Sequence, residues 1–434
     1  MVRGNFAGVI ARRELLRAWA ASLALGHLGC ARRVRPAREE GRVVVTFWYA
    51  YGDRIRKVLL SLVERYNASQ TRIRVKAVHQ GDYFEALAKL RTAIAAGAAP
   101  TASHVVLEVL PYLARAGVLE ALDDYDGARD LPFVSQLAQR GSFEGAEGQP
   151  LFGLPFNRST PIAFANGRIL EEEGAEMPRT WDELSAVARR LTRRGADGQV
   201  RWGFEVPISW WYWVAALGQA GGRLIEPGGG VSLGDAAGED AIRFWQRLVR
   251  VDRVMRPPPG RDYQAWQATN ESFLQGRVAT MWSSTAYVRY LEDNARFPVV
   301  AAPLPRRARA SVPTGGTMLV LLRAAPEEEK KAGWEFLRWL CDDPQTLEWA
   351  TRTGYMPVTR PAVKRLVDTG WYERHPNDRV AYDQLADVAP WPWSPDLFRL
   401  ARDVVEPRLE EAVLTGRDAH ELMDEAREEA RAPA

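Results

Sequence analysis

The sequence predicts an α/β protein built from two units, with the chain crossing between them twice. Three observations carry this. Strand and helix patterns alternate from Arg42 onward and start afresh at Thr180. Two proline-flanked extended stretches, 153–166 and 297–305, separate the alternating regions, and proline there fixes an extended path. A chain of 434 residues is also too long for one ordinary core and points to about two domains.

The β-branched and aromatic run 42–50 is a buried strand. From Asp53, the residues Ile55, Val58, Leu59, Leu62, Val63 and Tyr66 fall at helical spacing. Residues 72–79 alternate Ile73, Val75 and Ala77 with charged neighbours, which completes a right-handed βαβ opening. Gly81-Asp82-Tyr83 then turns into a helix that ends at Gly97, and a third strand at 104–109 leads to a helix at 111–116. This order predicts a mostly parallel sheet whose ligand contacts lie beyond the carboxyl ends of its strands, where Tyr83 and Glu108 fall.

The second unit follows a helix at 167–174 and opens with a capping box, Thr180-Trp181-Asp182-Glu183, before Leu184, Val187 and Leu191 at helical spacing. A strand at 203–208, a turn at 227–230, a helix at 238–250, a helix around 271–275 and a strand at 278–282 continue it, the last ending at Ser283-Ser284-Thr285. Thr314-Gly315-Gly316-Thr317 leads into an apolar strand at 318–322. The helix opening at Pro326 has Glu327, Glu328 and Glu329 in its first turn, where acidic groups suit the helix dipole, and reaches Cys341, a core thiol. A short helix from Pro344 ends at Gly354-Tyr355-Met356-Pro357, and the tail from Pro361 is helical apart from the loop 390–395.

Ser209-Trp210-Trp211-Tyr212-Trp213 sets four rings in a row with no charge among them. A helix buries one stripe, so at least one of these rings must face something other than the main core. Trp210 and Trp213, three residues apart, share a face and form one wall of a ligand cleft. An indole offers a flat electron-rich plane and one N–H, which suits the C–H face of a sugar or polyol.

Several chemistries are missing. The sequence has no Gly-Lys-Ser/Thr phosphate loop, no dinucleotide fingerprint, no Gly-x-Ser-x-Gly and no His-Glu-x-x-His. Two cysteines, Cys30 and Cys341, make neither a zinc cluster nor a disulfide framework, and no cofactor is implied. Residues 1–29 carry four arginines and one glutamate, and without them basic and acidic residues balance, so nothing draws the chain to nucleic acid. Those residues, with a basic start and an apolar stretch from Ala18 to Leu28, read as an export signal too short to span a bilayer. Arg12-Arg13 resembles a twin-arginine signal, and Gly29-Cys30 resembles a lipobox in which Cys30 is lipidated, although His27 stands where that pattern has an aliphatic residue. Residues 30–42 follow as a tether.

The order Gly81-Asp82-Tyr83, Glu108-Val109, Leu154-Pro155-Phe156-Asn157, Thr180-Trp181-Asp182-Glu183-Leu184, Phe273-Leu274-Gln275-Gly276-Arg277, Gly315-Gly316 and Thr353-Gly354-Tyr355-Met356-Pro357-Val358 resembles the family 1 extracellular solute-binding proteins of ABC importers. Within that family it is most similar to the glycerol-3-phosphate-binding and related sugar-binding members. The resemblance implies the two-lobe periplasmic-binding-protein fold, with hinge crossovers and an interlobe cleft. The lobes are then 43–155 with 303–358, and 160–300 with 362–432. It also implies ligand contacts from Tyr83, Glu108, Ser159, Trp210, Trp213, Ser284, Gly316 and Tyr355. Glu108 then accepts from ligand hydroxyls, Ser159 and Ser284 donate, and the rings stack. It further implies a monomer that performs no reaction, hands a sugar, polyol or glycerophosphoryl solute to permease subunits, and is held at the membrane through Cys30. The family's phosphate-binding arginine has no clear equivalent near Trp391-Pro395; Arg158 and Arg399 are nearby in sequence. An arginine-poor cleft favours a neutral sugar, and clustered indoles also suit a choline headgroup. A secreted polysaccharide-processing enzyme with the same aromatic platform is the alternative.

Overall fold

The computed structural model describes residues 36–139, 150–196, 198–226 and 230–431. The expected export signal, Cys30 with the first part of the tether, and most of the expected turn at 227–230 lie outside them. The last part of the tether is ordered, since Arg38–Glu39 pairs antiparallel with Arg42 and Val43.

Two sheets, of six and five strands, form the two lobes. In the first, Arg42–Tyr49 runs parallel to Ile73–His79 and to Ala102–Val106. Gly315–Leu321 lies antiparallel to Ala102–Val106 on one side and to Leu154–Ser159 on the other. The sheet is therefore mixed, which corrects the mostly parallel one expected. The reason is the route of the chain. Gly315–Leu321 arrives from the other lobe, so it starts beside Val106, where the parallel strand ends, and runs the opposite way. The second sheet is also mixed: Val200–Glu205 is parallel to Val278–Ser284, and Pro161–Asn166 is antiparallel to that strand and to Val299–Ala302.

Both faces of the first sheet are covered. Along Gly315–Leu321, Met318 and Val320 point into a core shared with Leu90 and Leu113, while Leu319 and Leu321 point into another with Leu62, Phe336 and Leu337. That period of two is why the strand is apolar throughout. Cys341 is buried at the end of helix Glu327–Leu340, with its thiol 3.6 Å from Pro155 O. At Thr180 the hydroxyl accepts from Glu183 N (3.2 Å), but Glu183 Oε2 accepts from Arg179 N (2.7 Å), one residue before the partner a capping box uses.

Other elements shift. The third strand ends at Val106, and Leu107–Val109 is a 3₁₀ turn. The strand before the aromatic run is Val200–Glu205. Helix Asp262–Leu274 is far longer than the fragment expected, because its first half presents Tyr263 and Trp266 to a cleft rather than an aliphatic stripe to a core.

The chain changes sheet across a single residue, Thr160, between Leu154–Ser159 and Pro161–Asn166. Thr160 O accepts from Thr285 N (3.1 Å), and Thr160 N donates to Thr285 Oγ1 (3.3 Å). Buried Gln384 then ties this crossing to the second: its amide donates to Thr160 Oγ1 (3.1 Å) and Pro161 O (2.8 Å), and its oxygen accepts from Leu304 N (3.1 Å). There is a third passage. Arg360 N bonds Pro132 O (2.8 Å) in the first lobe, whereas Asn377 bonds Val299 O (3.0 Å) and Ala301 N (2.9 Å) in the second.

Gln384→Leu strips three buried groups of a partner at once. The expected cost is about 1–3 kcal/mol for each buried polar group left without a partner, read as a lowered urea midpoint. An unchanged midpoint would show that Gln384 does not hold the crossings together.

Candidate functional site

A cavity of about 420 Å³ opens where the two sheets and their crossings meet. Seven of the eight residues singled out in the sequence line it: Tyr83, Glu108, Ser159, Trp210, Ser284, Gly316 and Tyr355. Trp213 does not. It is fully buried, and its ring lies 3.3 Å from where a side chain at Gly238 would begin, in the core packed on helix Asp235–Gln246. Only the first turn of helix Trp210–Gln219 reaches the cavity, so the ring accompanying Trp210 there is its neighbour Trp211. Trp211 stacks on Trp266 (centroids 5.4 Å, planes 26°), which places two near-parallel indoles on one wall.

Each lining side chain is held by its element. Tyr83 opens helix Tyr83–Ala95, whose N-cap Asp82 accepts from Phe84 N and Glu85 N, both at 2.8 Å. Ser284 ends its strand and caps the next turn by accepting from Ala286 N (3.2 Å). Gly316 sits at φ +93°, and a Cβ there would fall 1.8 Å from Asn157 O. A Cβ on Gly315 would fall 2.7 Å from Trp211 Cζ2, so the bare backbone is what admits the indole from the other lobe. Trp211 Nε1 donates to Thr314 O (3.2 Å), and Trp391 Nε1 donates to the same oxygen (2.9 Å). Of these two indoles Trp211 lines the cavity, and with its N–H given to Thr314 it offers the cavity a face only.

Glu108 sits in the turn just past Ala102–Val106 and is 2% exposed. Burial pushes its carboxyl up to about 7, opposed in part by the Arg158 guanidinium. Arg158 is 0% exposed, donates to Leu137 O (3.1 Å) and Thr314 Oγ1 (2.6 Å), and is brought down to about 10 by burial, with Glu108 opposing. Arg158 thus lies under the cavity rather than on its wall. Arg399, the other arginine considered, donates away from it to Ala430 O (3.2 Å). Among the described residues, the wall holds Asp82, Glu85 and Glu108 and no lysine or arginine.

The rims meet across the lobes. Phe84 packs against Phe398 (6.1 Å) and under Arg402, whose guanidinium carbon is 3.6 Å from its ring centroid. Elsewhere, Arg54 pairs with Asp293 and donates to Arg289 O (3.4 Å).

Sequence reasoning passed over Tyr51, Trp211, Tyr263, Trp266, Gln267 and Tyr287, all of which line the cavity. One signal was present: Tyr263, Trp266 and Gln267 stand at i, i+3 and i+4 and share a helix face. Tyr287 follows the Ser284 cap, and its position needed the fold.

Residues 61–378 match the family described as bacterial extracellular solute-binding protein. The sn-glycerol-3-phosphate-binding periplasmic protein UgpB of Yersinia pseudotuberculosis is 25% identical over 405 residues, covering 86% of this chain and 88% of that one. Among solved structures, UgpB from Mycobacterium tuberculosis in complex with glycerophosphocholine superposes with a TM-score of 0.79 at 23% identity, covering 90% of this chain and 98% of that one. Maltose-bound MalE3 of T. maritima gives 0.78 at 20% identity, with 89% and 99% covered.

Two outcomes follow from the geometry. Trp213→Ala empties a core site and should cost about 3–5 kcal/mol in urea denaturation, whereas Gly315→Ala should cost less, about 1–3 kcal/mol, and weaken solute binding by displacing Trp211. Equal effects of both on stability would contradict the placement of the two rings. For Glu108, the folded value near 7 lies above the ordinary 4.5, so the stability it contributes is present below about pH 4.5 and is lost as pH rises through 7. In Glu108→Gln the fall in unfolding free energy between pH 5 and pH 8 should be shallower than in the unaltered protein; an identical slope would show that the carboxyl does not titrate there.

Proposed function

Because the chain belongs to the family of bacterial extracellular solute-binding proteins, we propose that it captures a hydroxyl-rich solute without a phosphate monoester, a sugar, a polyol or a glycerophosphodiester, and delivers it to an ABC importer. The single observation behind this reading is the wall of the cleft: stacked indoles and phenols, with Glu108 among them and no cationic side chain on the described lining. A phosphate monoester carries up to two negative charges and needs charge-assisted donors. Here the buried Arg158 gives its Nε and Nη2 donors to Leu137 and Thr314. Sugar C–H faces, by contrast, suit the Trp211 and Trp266 planes, and hydroxyls suit Glu108, Ser159 and Ser284.

Proteins of this family bind their solute without transforming it, so Glu108 acts as a hydrogen-bond acceptor and not as an acid catalyst. Tyr83, Glu108, Ser159, Trp210, Ser284, Gly316 and Tyr355 form the contact set, and Trp211 and Trp266 take the place first given to Trp213. Closure of the lobes about Thr160 and Gln384 encloses the solute, and the rim pairs Phe84 with Arg402 and Arg54 with Asp293 hold the closed form. Cys30 is the site of a lipid anchor that keeps the receptor beside its permease, on the outer side of the cytoplasmic membrane. No described helix is long and apolar enough to cross a membrane.

Thermal shift and calorimetry with maltotriose, glycerophosphocholine and glycerol-3-phosphate test the solute class. A ligand at one hundred times its Kd stabilises the native form by about 2.7 kcal/mol. Maltotriose or glycerophosphocholine is expected to raise the midpoint and glycerol-3-phosphate to leave it in place; binding of glycerol-3-phosphate alone would overturn the reading.

A further inference from the structure

Behind the lining, buried Asn157 makes a set of contacts that favours one direction for its neighbours' protons. Its Oδ1 accepts from Thr317 N (3.1 Å) and from the Thr317 hydroxyl. A backbone N–H only donates, so Oδ1 must face Thr317 and Nδ2 must face the other way. Nδ2 lies 2.9 Å from the Tyr83 hydroxyl, and it too can only donate. Tyr83 O is therefore an acceptor on that side, and its own proton must go elsewhere. The Tyr355 hydroxyl stands 3.0 Å away. A phenol oxygen accepts a second proton only weakly, because one lone pair is conjugated with the ring, so the favoured arrangement has Tyr83 donating to Tyr355, and the Tyr355 proton is left over. Burial keeps both phenols protonated. Tyr355 is held in place by the stacking of its ring on Trp349 (5.8 Å, 13°) and by Tyr355 N donating to Thr353 Oγ1 (3.2 Å).

We infer that Asn157 is a positioning residue that orients the Tyr83 and Tyr355 hydroxyls in one direction, so that Tyr355 presents a proton to the bound solute and selects an acceptor oxygen there. This rests on the reading of the cleft as the solute site. The acceptor is of a kind that carries no proton of its own: a ring, glycosidic or phosphodiester oxygen. Chains of hydrogen bonds polarise one another, so the terminal O–H is a better donor than an isolated phenol. Replacing the Asn157 amide by a carboxylate reverses the chain. In Asn157→Asp the Oδ1 contacts to Thr317 are kept, but the second oxygen draws the Tyr83 proton, Tyr355 then donates to Tyr83, and the cleft meets a lone pair.

Neutron diffraction from crystals of the deuterated native protein tests the direction without any solute. The expected map places the Tyr83 deuteron on the line to Tyr355 O and the Tyr355 deuteron towards the cavity; a Tyr355 deuteron on the line to Tyr83 overturns the inference. The consequence for binding is read by calorimetry with maltotriose and glycerophosphocholine as probes. Tyr355→Phe should weaken the binding of a probe about 3- to 10-fold in the unaltered background, the span of one net hydrogen bond. In Asn157→Asp the same substitution should change the affinity less than about twofold, because the donated proton is already gone. Equal losses in the two backgrounds would show that Asn157 does not act through Tyr355. If neither probe binds the native protein while the deuterons lie as expected, the solute class fails and the direction of the chain stands.

Discussion

One buried backbone carbonyl and the side chain of the same residue hold the cleft together. Thr314 O receives the indole N–H groups of Trp211 and Trp391, and Thr314 Oγ1 receives Arg158. Trp391 N in turn donates to Gln139 Oε1 (2.7 Å). Four distant parts of the chain thus meet at a residue on the crossing into strand Gly315–Leu321. Every group there is buried, where an unmade hydrogen bond costs more than a made one contributes. The guanidinium of Arg158 is a buried charge, disfavoured by burial and favoured in part by the nearby Glu108 carboxyl.

The chemistry of the cleft follows from that junction. Because Trp211 gives its N–H to Thr314, it turns only a ring face to the cavity, and the polar groups beside it on the wall include Glu108, the two serines and the tyrosines. Arg158 is buried beneath the wall, and the described lining has no lysine or arginine. The same charge that would suit a phosphate instead holds the backbone at the crossing and supports the ionised form of Glu108. A solute enclosed here meets stacking surfaces and directional hydroxyl partners in a low dielectric, where each such hydrogen bond is stronger than in water.

The crossings tie the two sheets to each other. Thr160 is a single residue between two sheets, and Gln384 couples its backbone path to that of Leu304. In the proposed closure these few residues are where the chain would turn. The rim contacts Phe84 to Arg402 and Arg54 to Asp293 bridge residues far apart in the chain and would favour that closure. The rings of the cleft then decide which solute adds to it.

Local pattern was enough for much of this protein. The helix starting at Asp53, the cap at Thr180, the strand before Ser284 and the extended path around Pro155 and Pro161 are written in hydrophobic period, capping residues and proline, all of which act between neighbours in sequence. Motif order placed Tyr83, Glu108 and Tyr355 at the ends of their elements. Three matters needed the tertiary structure. The direction of Gly315–Leu321 depends on which lobe the chain comes from. The choice of Trp211 over Trp213 depends on how deep each ring lies once Gly238 packs against the helix, since both are equally aromatic in the sequence. The inward turn of Arg158 depends on Thr314, more than 150 residues away. Sequence determines what each segment prefers by itself; only the assembled fold decides which of several similar side chains reaches a shared cavity, because that choice rests on contacts between residues far apart along the chain.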